Sequence, residues 1–255
     1  MKTAKAISIK SEEEIAILRE GGRILAKIIH SLNCSLKSGI TAKQIDTIAE
    51  DMMRQYGVRS AFKGYRGFPG SVCVSINEEV VHGIPNERLL KPGDLVSLDA
   101  GIIHKGYYTD MAISEGIGAI DPQWQLLMDI TKESLYKGIE QARAGNHLSD
   151  ISYAVQQCVE ANHFSVVRDF VGHGIGKDLH EEPEIPNFGQ PSQGPILKEG
   201  MVLAIEPMVN MGTWKTKISS DGWTVKTEDQ KPSAHFEHTI VITSQGPQIL
   251  TEDNG

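Results

Sequence analysis

Apolar residues recur at helical spacing in four stretches of the chain, and alternate or form short unbroken runs in several others. The pattern predicts an α+β protein. Ile15, Leu18, Ile24, Leu25, Ile28, Ile29 and Leu32 form the first helical stripe, and Ser11 with Glu14 three residues on reads as its capping box. Gly21 and Gly22 weaken the middle of that helix, at a point where it packs closely on something. A second helix is predicted from Thr41, with Gln44 closing a box, Ile45, Ile48, Met52 and Met53 inward, and Gly57 as the stop. Asp121 and Pro122 read as N-cap and first residue of a third helix carrying Trp124, Leu127, Ile130, Leu135 and Ile139, with Gly145 at its end. A fourth runs over residues 149–161, with Ile151, Val155, Cys158 and Val159 inward.

Residues 71–76 (S-V-C-V-S-I) alternate and are β-rich, so they predict a strand; 80–85 (V-V-H-G-I-P) place His82 at a strand end. Residues 95–99 (L-V-S-L-D) read as a buried strand ending on Asp99. Residues 100–114 read as a hairpin turning near 104–106, with Asp110 on the return strand. Aspartate is a poor strand former, so Asp99 and Asp110 call for a reason that Asp94, a turn residue beside Gly93, does not. Residues 182–195 read as a Pro/Gly-rich connection, 201–207 as a strand ending on Glu206, 211–232 as an exposed hairpin containing Trp223, and 236–243 as a last strand with Glu237 near its start. Residues 61–69 form a loop with three aromatics, Phe62, Tyr65 and Phe68.

A weak repeat organises these elements. K-P-G-D-L-V-S-L-D (91–99) aligns with K-E-G-M-V-L-A-I-E (198–206), and the next strand of each half starts on a carboxylate, Asp110 or Glu237. Two long helices precede the strands in each half. Two such halves facing each other would form one pseudo-twofold domain over residues 1–255, with a central antiparallel sheet flanked by helices and four strand carboxylates at one centre.

The stretch F-V-G-H-G-I-G-K-D-L-H-E-E-P (170–183) adds His173 and His180 in a run too glycine-rich for a helix interior. Taken alone it is equally a loop whose histidines bond to backbone. The carboxylates shift the balance. Asp99, Asp110, Glu206 and Glu237 cannot ionise together in a core without compensation. A pair of divalent cations provides it, and a mainly oxygen ligand set with one imidazole suits Mn, Fe, Co or Zn. Two such metals about 3.5–4 Å apart can activate a water and polarise a carbonyl, which points to hydrolysis. There is no G-x-S-x-G and no cysteine in a motif with histidine, so nucleophilic side-chain catalysis is disfavoured.

Composition narrows the class further. With 255 residues and 40% apolar content the chain is long enough for a substantial core, and a net charge of -8 argues against nucleic-acid or membrane-surface binding. No apolar run reaches membrane-spanning length and the first ten residues lack a signal-like apolar core, so a cytoplasmic protein is expected. Cys34, Cys73 and Cys158 are sparse and unpaired in pattern, as in a reducing compartment.

Six motifs in order, V-H-G-I-P (81–85), S-L-D-A-G (97–101), Y-Y-T-D (107–110), G-H-G-I-G (172–176), A-I-E-P (204–207) and F-E-H-T (236–239), resemble those of the type I methionine aminopeptidases. The resemblance covers essentially the whole chain and implies their pita-bread fold, shared with prolidases and creatinases. It implies that Asp99, Asp110, His173, Glu206 and Glu237 ligate two divalent metals, with Asp110 and Glu237 bridging and Glu206 also acting as general base for the bridging water. His180 would then bind the scissile carbonyl and His82 would sit near the leaving amide nitrogen. A methionine pocket of Tyr65, Phe68, Cys73 and Trp223, with Phe62 nearby, is implied, as is a monovalent-cation position at Asn77 and Ser233. Several bacterial members carry Cys, Tyr and Phe where this chain has Phe62, Phe68 and Leu179, departures that bear on pocket shape and leave the chemistry alone. The implied substrate is the N-terminal Met of a nascent polypeptide followed by a small residue. The enzyme would act as a monomer, with at most transient ribosome contact through the body of the domain. His104, His147 and His163 are read as ordinary structural histidines.

Two kinds of rival remain. Prolidases and Xaa-Pro aminopeptidases carry an N-terminal domain for which a first helix at Ser11 leaves no room, and type II methionine aminopeptidases carry an insertion where the 180–206 interval here is short. A metal-free binding protein on the same fold would be expected to have lost ligands, and all five are present.

Overall fold

The helices start where the caps predict. In the computed structural model, which describes residues 6–253, α1 spans Glu12–Ser35 and α2 spans Ala42–Gln55. Residues 1–5, the start of the stretch read for a signal segment, lie outside the described residues. In α1 the Ser11 hydroxyl accepts from the Glu14 amide while the Glu14 carboxylate accepts from the Ser11 amide, and Thr41 and Gln44 do the same for α2. Each box satisfies amides that no helical turn can reach. Leu18, Leu25, Ile28, Ile29 and Leu32 are buried, as their spacing required. A Cβ on Gly22 would lie 2.2 Å from the Leu250 carbonyl oxygen, so this is the close approach that the glycine pair permits. α3 covers Pro122–Gln141 behind the Asp121 cap, and α4 covers Leu148–Ala161. Gly145 does not end α3; the helix stops four residues earlier and Gly145 takes a left-handed φ of 95° in the turn that follows.

The main sheet runs in the order Arg59–Ser60, Leu95–His104, Tyr107–Gly116, Glu237–Thr243, Val202–Ile205, Gly172–Gly174, Glu181–Ile185, and its neighbours pair antiparallel. Cys73–Ile76 also pairs with the Leu95–His104 strand, and Gly246–Ile249 with the Glu237–Thr243 strand. Each half supplies a pair, Leu95–His104 with Tyr107–Gly116 and Val202–Ile205 with Glu237–Thr243. The second member of each pair is the inner one, and the inner strands meet antiparallel at the centre, as a pseudo-twofold axis requires.

Side-chain alternation then divides the sheet into two faces. Val96, Leu98, Ala100 and Ile102 join the buried cluster beneath α1 and α2, and Leu203, Ile205, Ile240 and Ile242 join the cluster beneath α3 and α4. The intervening positions face away from the helices, Asp99 among the first set and Glu237 among the second. Both helical pairs therefore cover one face, and the opposite face is left for the carboxylates.

Three readings need correction. Residues 170–183 are not a plain loop. Gly172–Gly174 is a strand whose first and last residues have no room for a Cβ, meeting the Ala204 and Glu182 carbonyl oxygens at 2.4 and 2.2 Å. Residues 182–195 are not all connection, because Glu181–Ile185 forms the edge strand. Its Pro183, which argued against a strand, is tolerated where no outer neighbour needs its missing N–H. Finally, the 211–232 hairpin, Thr216–Ile218 with Val225–Thr227, is only partly exposed. Its second strand pairs with Glu79–Val81, and Val225 and Thr227 are buried. The strands Ser165–Val166, Met208–Asn210 and Ser233–His235 form a further small sheet too short to show a hydrophobic period.

Candidate metal centre

Neighbouring strands deliver one ligand-type side chain each. Asp99 stands opposite Ala112 and Asp110 opposite Gly101 on the first pair; Ala112 in turn stands opposite Glu237. Glu206 follows the end of Val202–Ile205, and His173 is paired with Ala204 of that strand. The pleat thus places the four carboxylates and the imidazole on the helix-free face. They line a cavity of about 290 Å³ together with His82, His180, Phe62, Tyr65, Phe68, Cys73 and Trp223, so every residue expected at the catalytic, metal and methionine positions converges there. Leu179, Phe170 and Arg66 complete its wall. Asn77 and Ser233 lie outside the cavity but touch each other, the Ser233 amide donating to the Asn77 carbonyl at 3.0 Å. The Asn77 side chain is committed to Asp94 and to the Leu95 amide.

The electrostatics of the cluster are unusual. Among the described residues no lysine or arginine pairs with the four carboxylates; their ion-pair partners are the imidazoles of His173 and His235, 3.5 and 3.7 Å from Glu206. Burial first, and then the charge of the other carboxylates, holds Asp99, Glu206 and Glu237 well above the usual carboxylate range, and burial lifts Asp110 to about 7. One oxygen each of Asp99 and Glu237 is buried with no hydrogen-bond partner. Such groups are rare in proteins unless something else meets them. Ligand atoms of Asp110, His173 and Glu237 lie within 4.8 Å of one another, and the His173 Nδ1 is 2.9 Å from the Gly174 carbonyl oxygen. That bond leaves a proton on Nδ1 and turns the Nε2 lone pair toward the cluster. Burial, with His180 nearby, lowers the His173 pKa to about 3, so the ring is neutral and available as a ligand. Orphaned oxygens, an uncompensated acidic cluster and an oriented imidazole all fit divalent cations.

Around this centre the donors are also fixed. His180 Nδ1 lies 2.9 Å from the Tyr65 hydroxyl, and its ring is 4.4 Å from that of His173, centroid to centroid. His82 takes a left-handed φ of 59° and packs edge-on against Phe170 and Trp223. Burial and the neighbouring His180 bring its pKa to about 4; burial and Arg66 lower that of His180. Phe68 stacks edge-on between Phe62 and Trp223, giving the cavity an aromatic end. Cys73 lies opposite Asp99, its thiol pushed well up by burial and then by that carboxylate.

The chain matches the metallopeptidase family M24 over residues 16–244. It is 52% identical to methionine aminopeptidase 1 of Bacillus subtilis and 51% identical to the methionine aminopeptidase of Clostridium perfringens, in each case over 96% of this chain and at least 98% of the relative. The chain belongs to metallopeptidase family M24, among its methionine aminopeptidases. The M24 membership agrees with shape. The crystal structure of the Thermotoga maritima methionine aminopeptidase superposes with a TM-score of 0.96 at 42% identity, covering 97% of this chain and all of that one. The prolidase of Pyrococcus horikoshii, 22% identical with a TM-score of 0.79, shows the shared pita-bread fold alone. Three residues in or beside this cavity did not figure as site residues in the sequence reading, Phe170 and Arg66 on its wall and His235 next to Glu206. Phe170 and Arg66 carried no signal, one an ordinary apolar residue and the other an ordinary exposed cation. His235 carried none either, because it ends one strand and Glu237 begins another in a different sheet, so no shared period relates them.

Proposed function

We propose that this chain is a methionyl aminopeptidase that removes the initiator methionine from nascent proteins whose second residue is small, using a water activated between two divalent cations. Asp99, Asp110, His173, Glu206 and Glu237 would hold the cations. The observation that carries the reading is the convergence of four carboxylates and a neutral imidazole, with no lysine or arginine among the described residues as their ion-pair partner, in a cavity also lined by aromatic rings. Asp110 and Glu237 come from the two inner strands of the sheet, with Asp99 and Glu206 on or at the end of the strands outside them, so the inner pair would be within reach of both cations. When bound, the cations supply Lewis acidity toward the scissile carbonyl and lower the pKa of a water. The chain's own groups do the rest. Glu206 takes the proton of the attacking water, as a carboxylate kept ionised by the cations beside it can. His180 donates to the scissile carbonyl oxygen and steadies the charge that develops there, while His82 stands by the leaving amide nitrogen. Phe62, Tyr65, Phe68, Cys73 and Trp223 enclose the methionine side chain. A monovalent cation at the Asn77 and Ser233 backbone, a monomeric state, one catalytic domain over the whole chain, a cytoplasmic location and transient contact with the ribosome complete the reading. Among the described residues no helix is long and apolar enough to cross a membrane.

The test is methionine release from Met-Ala-Ser and Met-Leu-Ser by metal-stripped protein to which Mn, Fe, Co or Zn is added back. Metal-dependent cleavage of Met-Ala-Ser alone is expected. Equal cleavage of both peptides would remove the small-residue rule, and activity in the stripped protein would remove the metal mechanism.

The Tyr65 contact gives a second expectation. If the phenol donates to His180 Nδ1, the ring must present Nε2–H to the substrate. Tyr65→Phe should then lower kcat about 3- to 10-fold, the worth of one hydrogen bond, with KM within a factor of about two. A rise in KM with kcat unchanged would instead assign Tyr65 to the methionine pocket alone.

A further inference from the structure

His235 has no place in the mechanism above, yet it is 1% exposed and its Nε2 has no hydrogen-bond partner. That nitrogen lies 3.7 Å from Glu206 Oε2, while His173 Nε2 lies 3.5 Å from Oε1. The Glu206 carboxylate is therefore set between two imidazoles, one on the wall of the cavity and one behind it, since His235 does not line the cavity. The position behind is itself rigid. The His235 amide donates to Ser114 Oγ, which donates in turn to the His235 carbonyl, both at 2.9 Å, and Ser97 Oγ is 2.7 Å from Ser114 Oγ. His235 is also paired with Met208, two residues past Glu206, so both segments are tied side by side.

We infer that His235, as its Nε2–H tautomer, is a positioning residue that donates to Glu206 Oε2 and fixes the plane of that carboxylate. The bond asks for the 3.7 Å separation to shorten to hydrogen-bond length, a shift of under about 1 Å between the two side chains. An orphaned buried donor and an uncompensated carboxylate oxygen each gain a partner, and the remaining lone pairs of Glu206 stay free on the cavity side. Outer groups of this kind orient ligands that would otherwise swing. The inference rests on the reading of Glu206 as ligand and base.

The experiment uses His235→Phe, which keeps a ring of similar size and removes the donor, and His235→Gln, which keeps a donor. Each is measured for kcat and KM on Met-Ala-Ser and, after stripping, for Mn affinity by calorimetry. His235→Phe should lower kcat and Mn affinity roughly 10- to 100-fold with KM nearly unchanged, and His235→Gln should recover most of both. In a Glu206→Gln background, adding His235→Phe should weaken Mn binding no further. A loss not recovered by glutamine, or one that repeats in full in the Glu206→Gln background, would overturn the positioning role while leaving Glu206 in its own. If Glu206→Gln alone kept wild-type turnover and Mn affinity, the reading of Glu206 would fall, and the inference with it. Should His235→Phe not fold, His235→Leu is read in the same way.

Discussion

Replacing Glu206 with alanine should reduce kcat by roughly three orders of magnitude or more, because a general base and a ligand oxygen disappear together. The fold should survive. Glu206 is held above the carboxylate range by burial and by Asp110 and Asp99, so its removal relieves repulsion in the metal-free protein. Its backbone contact with Asn187, whose side-chain amide donates to the Glu206 carbonyl at 3.1 Å, does not depend on the side chain. The measurement pairs turnover of Met-Ala-Ser with the thermal midpoint of the stripped variant. Near-normal turnover would sink the general-base assignment, and a collapsed midpoint would show that Glu206 is needed to fold.

Metal removal should make stability fall as pH rises above about 6.5 and through 7, where Asp110 titrates. Carboxylates with raised folded pKa values bind more protons folded than unfolded, so raising pH above the unfolded value near 4 works against the fold until they ionise. Buried histidines act in the opposite sense at lower pH. His82, His173, His235 and His238 have folded pKa values of about 3 to 4, so their contribution grows as pH climbs through 6.5 and levels off about one unit above it. Above 6.5 the histidine contribution to the slope fades and the carboxylate cluster dominates it, with Asp110 titrating near 7 and Asp99, Glu206 and Glu237 raised as well. The slope is about 1.4 kcal/mol per pH unit for each carboxylate still protonated in the fold. Saturating Mn should abolish it, because bound ligands are already deprotonated. Thermal midpoints at several pH values, with chelator and with Mn, would decide. A chelated protein whose midpoint is flat across this window would mean that the four carboxylates ionise without hindrance.

Much of the site could be read before the structure because its ligands break local rules. Asp99 and Asp110 are poor strand residues, and Glu206 ends an otherwise apolar run; each stands out against the pattern around it. The caps of α1, α2 and α3 were readable for the same reason, being short signals with a definite geometry. What escaped was stabilised from outside. Glu181–Ile185 is a strand because Gly172–Gly174 lies beside it, and Val225 and Thr227 are buried because their hairpin docks on Glu79–Val81. Neither neighbour is visible in the local sequence. His235 shows the limit most clearly. It belongs to a strand too short to show a period, and only the carboxylate 3.7 Å away gives its position a purpose.

The two inner strands are joined by little. Glu237 pairs with Ala112 and His238 with Met111, and beyond them the Thr239 hydroxyl takes over, accepting from the Asp110 amide and donating to its carbonyl. Across the outer pair the ladder runs for ten residue pairs. This two-pair joint is therefore also the line along which the ligands of the two halves face one another. Neither half owns the reaction centre. Any hinge motion along that joint changes the spacing of Asp110 and Glu237 directly, so catalytic geometry and the seating of one half against the other are a single mechanical variable.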